Sequence, residues 1–351
     1  MVAHHDSGST TLLTVLVPCF NEVKTLRYTV AELTTYLGAG QWCKGGYKGG
    51  WEILLVDDGS TDGSREIMAD LAQRDGRIRY VSYRINAGQG QALQKGFAAA
   101  RGEWIFCVDA DLDYGPEHIE RFLELAEQSG AEIVIGSPYM RHGTSSGVPL
   151  ARLLMSRLMN WYFRWVLNLR FATYTSILRL YRREVIEALL LTSRDKDILP
   201  EIVIKAALLG IPMIEAPAHL HWKPRRRDHA RRGASARSVA RKALRHLLWG
   251  TMENPMLFFL APALIVGAGT LWFGTALLIL FFSSYSQNAE HGLAAITTAA
   301  NNVIQVNPQT IIIFAVLLLT TLILFSLAII ILQNKVKREN DFLYFSRLIR
   351  K

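Results

Sequence analysis

The chain has 351 residues, half of them apolar, with a formal net charge of +9 and three cysteines. That length holds one sizeable α/β domain plus an appendage, and an odd cysteine count without a CxxC pair argues against a disulfide framework and fits a reducing compartment. The charge does not point to nucleic acid, because the basic residues crowd into positions 223–245 beside an apolar run and no nucleic-acid-binding motif accompanies them.

The first stretch, MVAHHDSGSTT (1–11), lacks the basic n-region of a signal peptide and reads as a flexible tail that starts in the cytoplasm. From residue 12 to about 137, short β-branched runs alternate with amphipathic stretches. The series runs LLTVLVPC, 22–37, WEILLVDD, 64–73, RIRYVSY, 89–100, EWIFCVDAD, 116–128 and AEIVIGS. Strand and helix alternating at this pitch predict βαβ units and a mainly parallel, Rossmann-like sheet covered on both faces. Ligands of such sheets bind beyond the carboxyl ends of the strands, where this sequence carries Asn21 and Glu22, Asp57 and Asp58, and Asp109 and Asp111.

The Gly-rich insert 38–50 reads as a surface loop, and 148–168 as an amphipathic helix rich in Arg and aromatics. Trp161, Tyr162, Phe163 and Trp165 on it suit either a membrane interface or a core. A strand at 177–181, helices near 183–191 and 198–209, and a strand pair at 212–222 complete a domain spanning 12–222. The basic segment 223–250 follows. It fits lipid headgroups or a lipid-linked phosphate, or serves topology alone.

A hairpin at 255–332 contains two uncharged apolar stretches, 256–282 and 311–332. At 1.5 Å per residue they span about 40 Å and about 33 Å, enough to cross a hydrocarbon core of about 30 Å, and too long and apolar for ordinary core helices. The connection 283–308 holds no Lys or Arg, whereas 223–245 and the basic tail 333–351 are rich in both. The positive-inside rule then predicts a two-helix membrane protein with the α/β domain and both termini in the cytoplasm.

Three features carry candidate chemistry. Asp109-Ala110-Asp111-Leu112-Asp113 closes an apolar strand. In extended chain, residues two apart point the same way, so three carboxylates project together as hard ligands for Mg²⁺ or Mn²⁺; a solvated acidic turn is the plainer alternative. Val56-Asp57-Asp58-Gly59-Ser60-Thr61-Asp62 is a helix cap or, through its strand-end carboxylates, an acceptor for a nucleobase N–H. Asn86-Ala87-Gly88-Gln89-Gly90-Gln91 is a Gly-rich helix entry that lets phosphates approach.

Taken in order, VPCFNE (17–22), VDDGSTD (56–62), NAGQGQALQKGF (86–97), DADLDYGPE (109–117) and IGS (135–137) resemble family-2 glycosyltransferases of the GT-A fold. With the hairpin and PLARLLMSR, the chain is most similar to dolichyl-phosphate mannose synthases and bacterial polyprenyl-phosphate glycosyltransferases. The resemblance implies a metal-dependent hexosyltransferase that inverts the anomeric centre while moving a sugar from a GDP- or UDP-sugar to a polyprenyl phosphate. Pro18, Glu22 and Asp58 would contact the nucleoside, with Glu22 on the ribose and Asp58 on the base. Asp109, Asp111 and Asp113, the DXD region, would hold Mg²⁺ or Mn²⁺ at the donor diphosphate, and Arg152 and Ser156 would bind the acceptor phosphate. Arg232, Gly233 and Ser235 would lie on a basic loop that closes over the site.

Three departures fall on the acceptor side. Pro138 stands where the family has Arg, with Arg141 the nearest substitute; Ser176-Ile177-Leu178 replaces SGF; and Ala230 occupies a common Arg position. A lipid or polysaccharide hydroxyl acceptor would instead need a base, for which Glu201 and Asp197 are candidates, although a helix cap with Pro200 in the first turn explains both. A processive synthase is disfavoured by the absence of QxxRW, and a catalytically silent membrane scaffold by the intact DADLD. Homo-oligomers are compatible with the sequence.

Overall fold

The apolar run after Thr11 becomes the middle of a seven-stranded sheet. The computed structural model describes residues 11–40, 50–222, 254, 256–288 and 293–349. Strands β1 (Thr11–Cys19), β2 (Gly50–Asp57), β3 (Ile78–Ser82), β4 (Trp104–Cys107), β5 (Ile133–Ser137), β7 (Arg179–Arg182) and β8 (Met213–Pro217) stand in the order β3-β2-β1-β4-β7-β5-β8. All neighbours run parallel except β7, which is antiparallel to both β4 and β5. Leu13, Val15, Leu16 and Val17 of β1 are fully buried, as a strand covered on both faces requires.

Helices α1 (Leu26–Gly38), α2 (Ser64–Arg74), α3 (Gln89–Ala99) and α4 (His118–Ser129) follow the first four strands in turn. The mainly parallel GT-A-like architecture is therefore the one expected. The 212–222 pair is corrected: β8 joins β5, whereas β9 (His219–His221) pairs in parallel with β6 (Thr144–Ser146) in a separate two-stranded sheet. A single residue, Ala218, separates β8 from β9, too short a connection for either a hairpin or a crossover.

Helix α5 (Leu150–Leu167) divides its apolar residues. Phe163 is buried, while Leu150, Leu154, Leu158, Trp161 and Trp165 are exposed at three- and four-residue spacing, a continuous outward stripe. Helices α6 (Arg183–Ala188) and α7 (Ile198–Leu208) complete the α/β part.

The chain divides into two compact units, 1–234 with 341–351, and 235–340. The second contains a π-helical turn (Met256–Leu260) running into α8 (Ala261–Gln287), then α9 (Leu293–Val306) and most of α10 (Pro308–Ile349). Met256–Gln287 and Pro308–Tyr344 are each long and apolar enough to cross a membrane. Gly267 and Gly269 of α8 face Thr321 and Leu317 of α10, and the Thr270 and Thr321 hydroxyls share a hydrogen bond of 3.0 Å. Small residues and one polar pair are how helices adhere where lipid removes the hydrophobic incentive. Helix α9 was not foreseen, and α10 runs well beyond residue 332. In the first unit, Ser346 Oγ donates to the Ala188 carbonyl at 3.2 Å.

Candidate active site

The two first strand ends are stitched to each other. Asn21, at φ 58°, turns the chain after β1 so that backbone N–H groups face the β2–α2 turn. Asn21 N–H donates to Ser60 Oγ (2.9 Å), Glu22 N–H to Ser64 Oγ (2.8 Å) and Val23 N–H to Asp62 Oδ2 (3.1 Å), while Thr61 N–H donates to Asn21 Oδ1 (2.9 Å). Each turn thus satisfies groups the other would leave orphaned. Asp57 is fully buried, accepting the Ser60 N–H at 2.8 Å and pairing with Arg65 at 2.9 Å. Glu22 is half-buried, with the Thr25 hydroxyl 2.9 Å from its carboxylate, and Pro18 sits beside Val56 in register.

The Asp58 carboxylate has four partners: Tyr83 Oη (2.7 Å), Asn86 Nδ2 (3.0 Å), Ala87 N–H (2.8 Å) and Gly88 N–H (3.0 Å). A carboxylate offers about four lone-pair sites, so these fill it. Burial, then this carboxylate, push the Tyr83 phenol well up. Asp58 therefore holds the Gly-rich entry to α3 in place.

The far side of that entry rests on 193–195. Gln91 N–H donates to the Arg194 carbonyl (3.0 Å) and Gln94 Nε2 to the Ser193 carbonyl (2.8 Å). A side chain at Gly88 (φ 99°) or Gly90 would strike the backbone of Arg194 and Ser193, so only glycine permits the contact. Residues 192–193 are in turn held by buried Glu201. It accepts the Thr192 N–H (2.9 Å) and hydroxyl (2.8 Å), the Ser193 N–H (2.8 Å) and Lys205 Nζ (2.6 Å). Burial alone would raise the Glu201 pKa; the Lys205 pair and the N–H bonds outweigh it and leave the carboxyl below its usual range. A buried carboxylate held by four donors, with its pKa below the usual range, is poorly suited to take a proton from a hydroxyl.

The acidic turn differs from the extended form expected. Leu112 N–H returns to the Asp109 carbonyl at 3.1 Å and Leu112 has φ 48°, so 109–113 is a tight turn and the two-residue alternation of a strand is lost. Asp109 and Asp113 line one cleft of about 180 Å³, and Asp111 is not among the residues lining it. Among the described residues, no group of three His, Cys, Asp or Glu is gathered to hold a metal. Two hard carboxylates facing one cleft nevertheless suit Mg²⁺ or Mn²⁺, which complete their coordination with phosphate oxygens and water.

Arg152 and Ser156 line the same cleft. The Arg152 guanidinium stacks 4.1 Å over the Trp222 ring, and Ser156 Oγ accepts from Tyr139 Oη at 2.8 Å. Arg141 is exposed and is not among the residues lining the cleft. Sequence reasoning missed Lys196 and Trp222, both in the lining. Nothing local marks them, since each enters from a segment distant in sequence. Pro18, Glu22 and Asp58 are not in this lining, and Arg232, Gly233 and Ser235 lie outside the described residues.

Strand β9 braces the acidic turn. His221 N–H donates to the Asp113 carbonyl (2.8 Å), Tyr114 bridges to Leu220, and His118 Nε2 accepts the His219 N–H (3.0 Å) while its Nδ1 lies 2.9 Å from the Gly115 carbonyl. His118 must therefore be neutral, with its proton on Nδ1. Burial holds its pKa below the usual value, so the unfolded chain takes up a proton first as the pH falls. Stability should be full above about pH 6.5 and decline below it. Replacing His118 with Gln should flatten that part of the profile, read as the thermal midpoint between about pH 7.5 and 5.5; an unchanged slope would place the acid sensitivity elsewhere.

The Glycosyl transferase family 2 model matches residues 14–190. The undecaprenyl-phosphate 4-deoxy-4-formamido-L-arabinose transferase of Salmonella choleraesuis (strain SC-B67) is 30% identical over 215 residues, 61% of this chain and 61% of that protein. The polyprenol monophosphomannose synthase of Mycolicibacterium smegmatis is 35% identical over 172 residues, 47% of this chain and 64% of that protein. The chain thus spans just over three fifths of the length of these relatives. Among solved structures, mannosyl-3-phosphoglycerate synthase from Rubrobacter xylanophilus superposes with a TM-score of 0.48 at 18% identity, covering 69% of this chain and 74% of that one. With the family model covering half of its residues, from β1 to the end of α6, the chain belongs to glycosyl transferase family 2.

Proposed function

We propose that the protein is an inverting glycosyltransferase that moves a sugar from a nucleotide-sugar donor to a polyprenyl phosphate at a membrane surface. The observation that carries this reading is the meeting of Asp109 and Asp113 with Arg152 and Ser156 around one cleft, while Glu201 is sequestered by four donors. A phosphate monoester with a second pKa near 6 is already ionised at pH 7 and needs no base, whereas a hydroxyl acceptor does. The two relatives above, named for undecaprenyl-phosphate and polyprenol substrates, support the same choice.

In this mechanism Arg152, held flat by Trp222, presents its planar fork to the acceptor phosphate, with Ser156 beside it. A phosphate oxygen attacks the anomeric carbon from the face opposite the nucleotide. The bond to the diphosphate breaks and the nucleoside diphosphate departs with the electron pair. Asp109 and Asp113 are the residues that would hold Mg²⁺ or Mn²⁺, which when bound supplies positive charge to the diphosphate. Asp58 acts on the nucleoside side by shaping the loop 86–88.

The catalytic unit works at the cytoplasmic face. Its support is the absence of Lys and Arg from 283–308 against their abundance in 223–245 and 335–351, together with the exposed apolar stripe of α5, a helix that also carries Arg157 and Arg164. Single cysteines placed in 283–308 should be labelled only from the opposite side to those placed at 335–340.

The reaction is tested with labelled GDP- and UDP-sugars and a polyprenyl phosphate, with Mg²⁺ or Mn²⁺ and an EDTA control. Label in an organic-extractable, mild-acid-labile product is the expected result. Donor hydrolysis without lipid product would shift the acceptor to another lipid or a polysaccharide.

A further inference from the structure

One cation of the cleft has no part in the scheme above. Lys196 lines the cleft together with Gln89. These two residues come from segments more than a hundred positions apart, yet their backbones interlock. Gly88 and Gly90 flank Gln89 and pack on Ser193, Arg194 and Asp195, the residues leading into Lys196. The Lys196 ammonium makes no hydrogen bond or ion pair within the protein among the described residues, whereas Lys205 nearby is consumed by Glu201 and the Leu190 carbonyl.

The lock beneath this wall is buried and charged. The Glu201–Lys205 pair (2.6 Å) has both side chains less than one-fifth exposed, and the carboxylate holds the N–H groups of Thr192 and Ser193. Burying such a pair costs desolvation, and replacement by apolar residues is often neutral or stabilising, so stability alone gives a weak reason for it. Fixing the segment 192–195, and with it the direction of the next residue, gives a better one.

We propose that Lys196 is a phosphate-binding residue of the cleft, positioned by the buried Glu201–Lys205 pair through the segment 192–195. Its place beside Gln89, at the start of the helix whose entry Asp58 organises, favours the diphosphate of the donor over the phosphate of the acceptor. A lysine suits the task because it meets several phosphate oxygens as a point charge without demanding a fixed fork. The assignment rests on the transferase reading above.

The test uses the full-length protein in detergent and measures binding of nucleoside diphosphate and monophosphate beside transfer kinetics. Lys196 is exposed, so Lys196→Gln should fold as the parent does. Loss of one charge-assisted contact should weaken diphosphate binding about tenfold, spare the monophosphate and leave the acceptor KM alone. A raised acceptor KM with unchanged diphosphate binding would assign Lys196 to the acceptor phosphate instead, and no change in either would overturn the proposal. Glu201→Gln should reproduce the diphosphate defect, and Glu201→Gln with Lys205→Met should recover most of it by removing the stranded cation. A kcat loss in Glu201→Gln that the double variant does not recover, with diphosphate binding intact, would make Glu201 the base and overturn the positioning role. Failure of the parent protein to bind any nucleoside diphosphate would overturn the transferase reading itself.

Discussion

Asp109→Asn should lower transfer at least a hundredfold, Asp113→Asn nearly as much, and Asp111→Asn least of the three. The order follows from the turn at Leu112, which directs Asp109 and Asp113 into the cleft and leaves Asp111 outside its lining. Groups aimed at charge that develops in the transition state are worth about 10²–10³ in rate when one is removed. Asparagine keeps the size of the side chain and discards its charge, so the loss reports electrostatics and not packing. The measurement is kcat at saturating donor over a range of Mg²⁺ and Mn²⁺, with protein folding checked by the thermal midpoint. If Asp111→Asn proved the most severe, the carboxylates would have to project as an extended strand places them, against the hydrogen bond from Leu112 to Asp109.

Arg179→Met should destabilise the α/β unit by about 3 kcal/mol or more, because three buried carbonyls would each lose a donor worth about 1–3 kcal/mol to leave unmet, partly offset by removing a desolvated cation. Arg179 is fully buried in β7 and gives Nε to the Ser176 carbonyl (2.9 Å), Nη1 to Leu199 (2.9 Å) and Nη2 to Tyr174 (2.6 Å). No carboxylate among the described residues pairs with it. The guanidinium thus ties the cleft residues Thr175 and Ser176 to the start of α7. For a domain of this size the thermal midpoint should fall by about 6–12 °C. Arg179→Lys keeps the charge but cannot span three acceptors, and should fall between. A Met variant as stable as the parent would mean that Tyr174, Ser176 and Leu199 find other donors.

What could be read from the sequence was what short-range pattern encodes. The alternation of apolar runs with amphipathic stretches located the first five strands and their helices, because the inner strands β1, β2, β4 and β5 are covered on both faces and the edge strand β3 keeps a β-branched and aromatic run. The two spans past residue 254 were legible too. Strand direction was not: nothing in RLYR reports that β7 runs antiparallel to both neighbours. The acidic turn was misjudged because Leu112 occupies a left-handed conformation that a leucine rarely adopts. The partners of Asp58 were not legible either, because all four lie 25–30 positions away, beyond any local signal. Helix α9 was hidden by its polar Thr and Asn residues, and the extension of α10 by charges that had been read only for topology.

The stitching between 21–23 and 60–64 also bears on how such an enzyme can change its donor. Exchanging the segment 60–64 alone for a different sequence would remove Ser60, Asp62 and Ser64 from under Asn21, Glu22 and Val23, leaving three amides without acceptors. The turns after β1 and β2 should therefore be exchanged together, as one cassette from β1 through the start of α2. Arg152 and Ser156, the proposed acceptor residues on α5, lie outside that cassette.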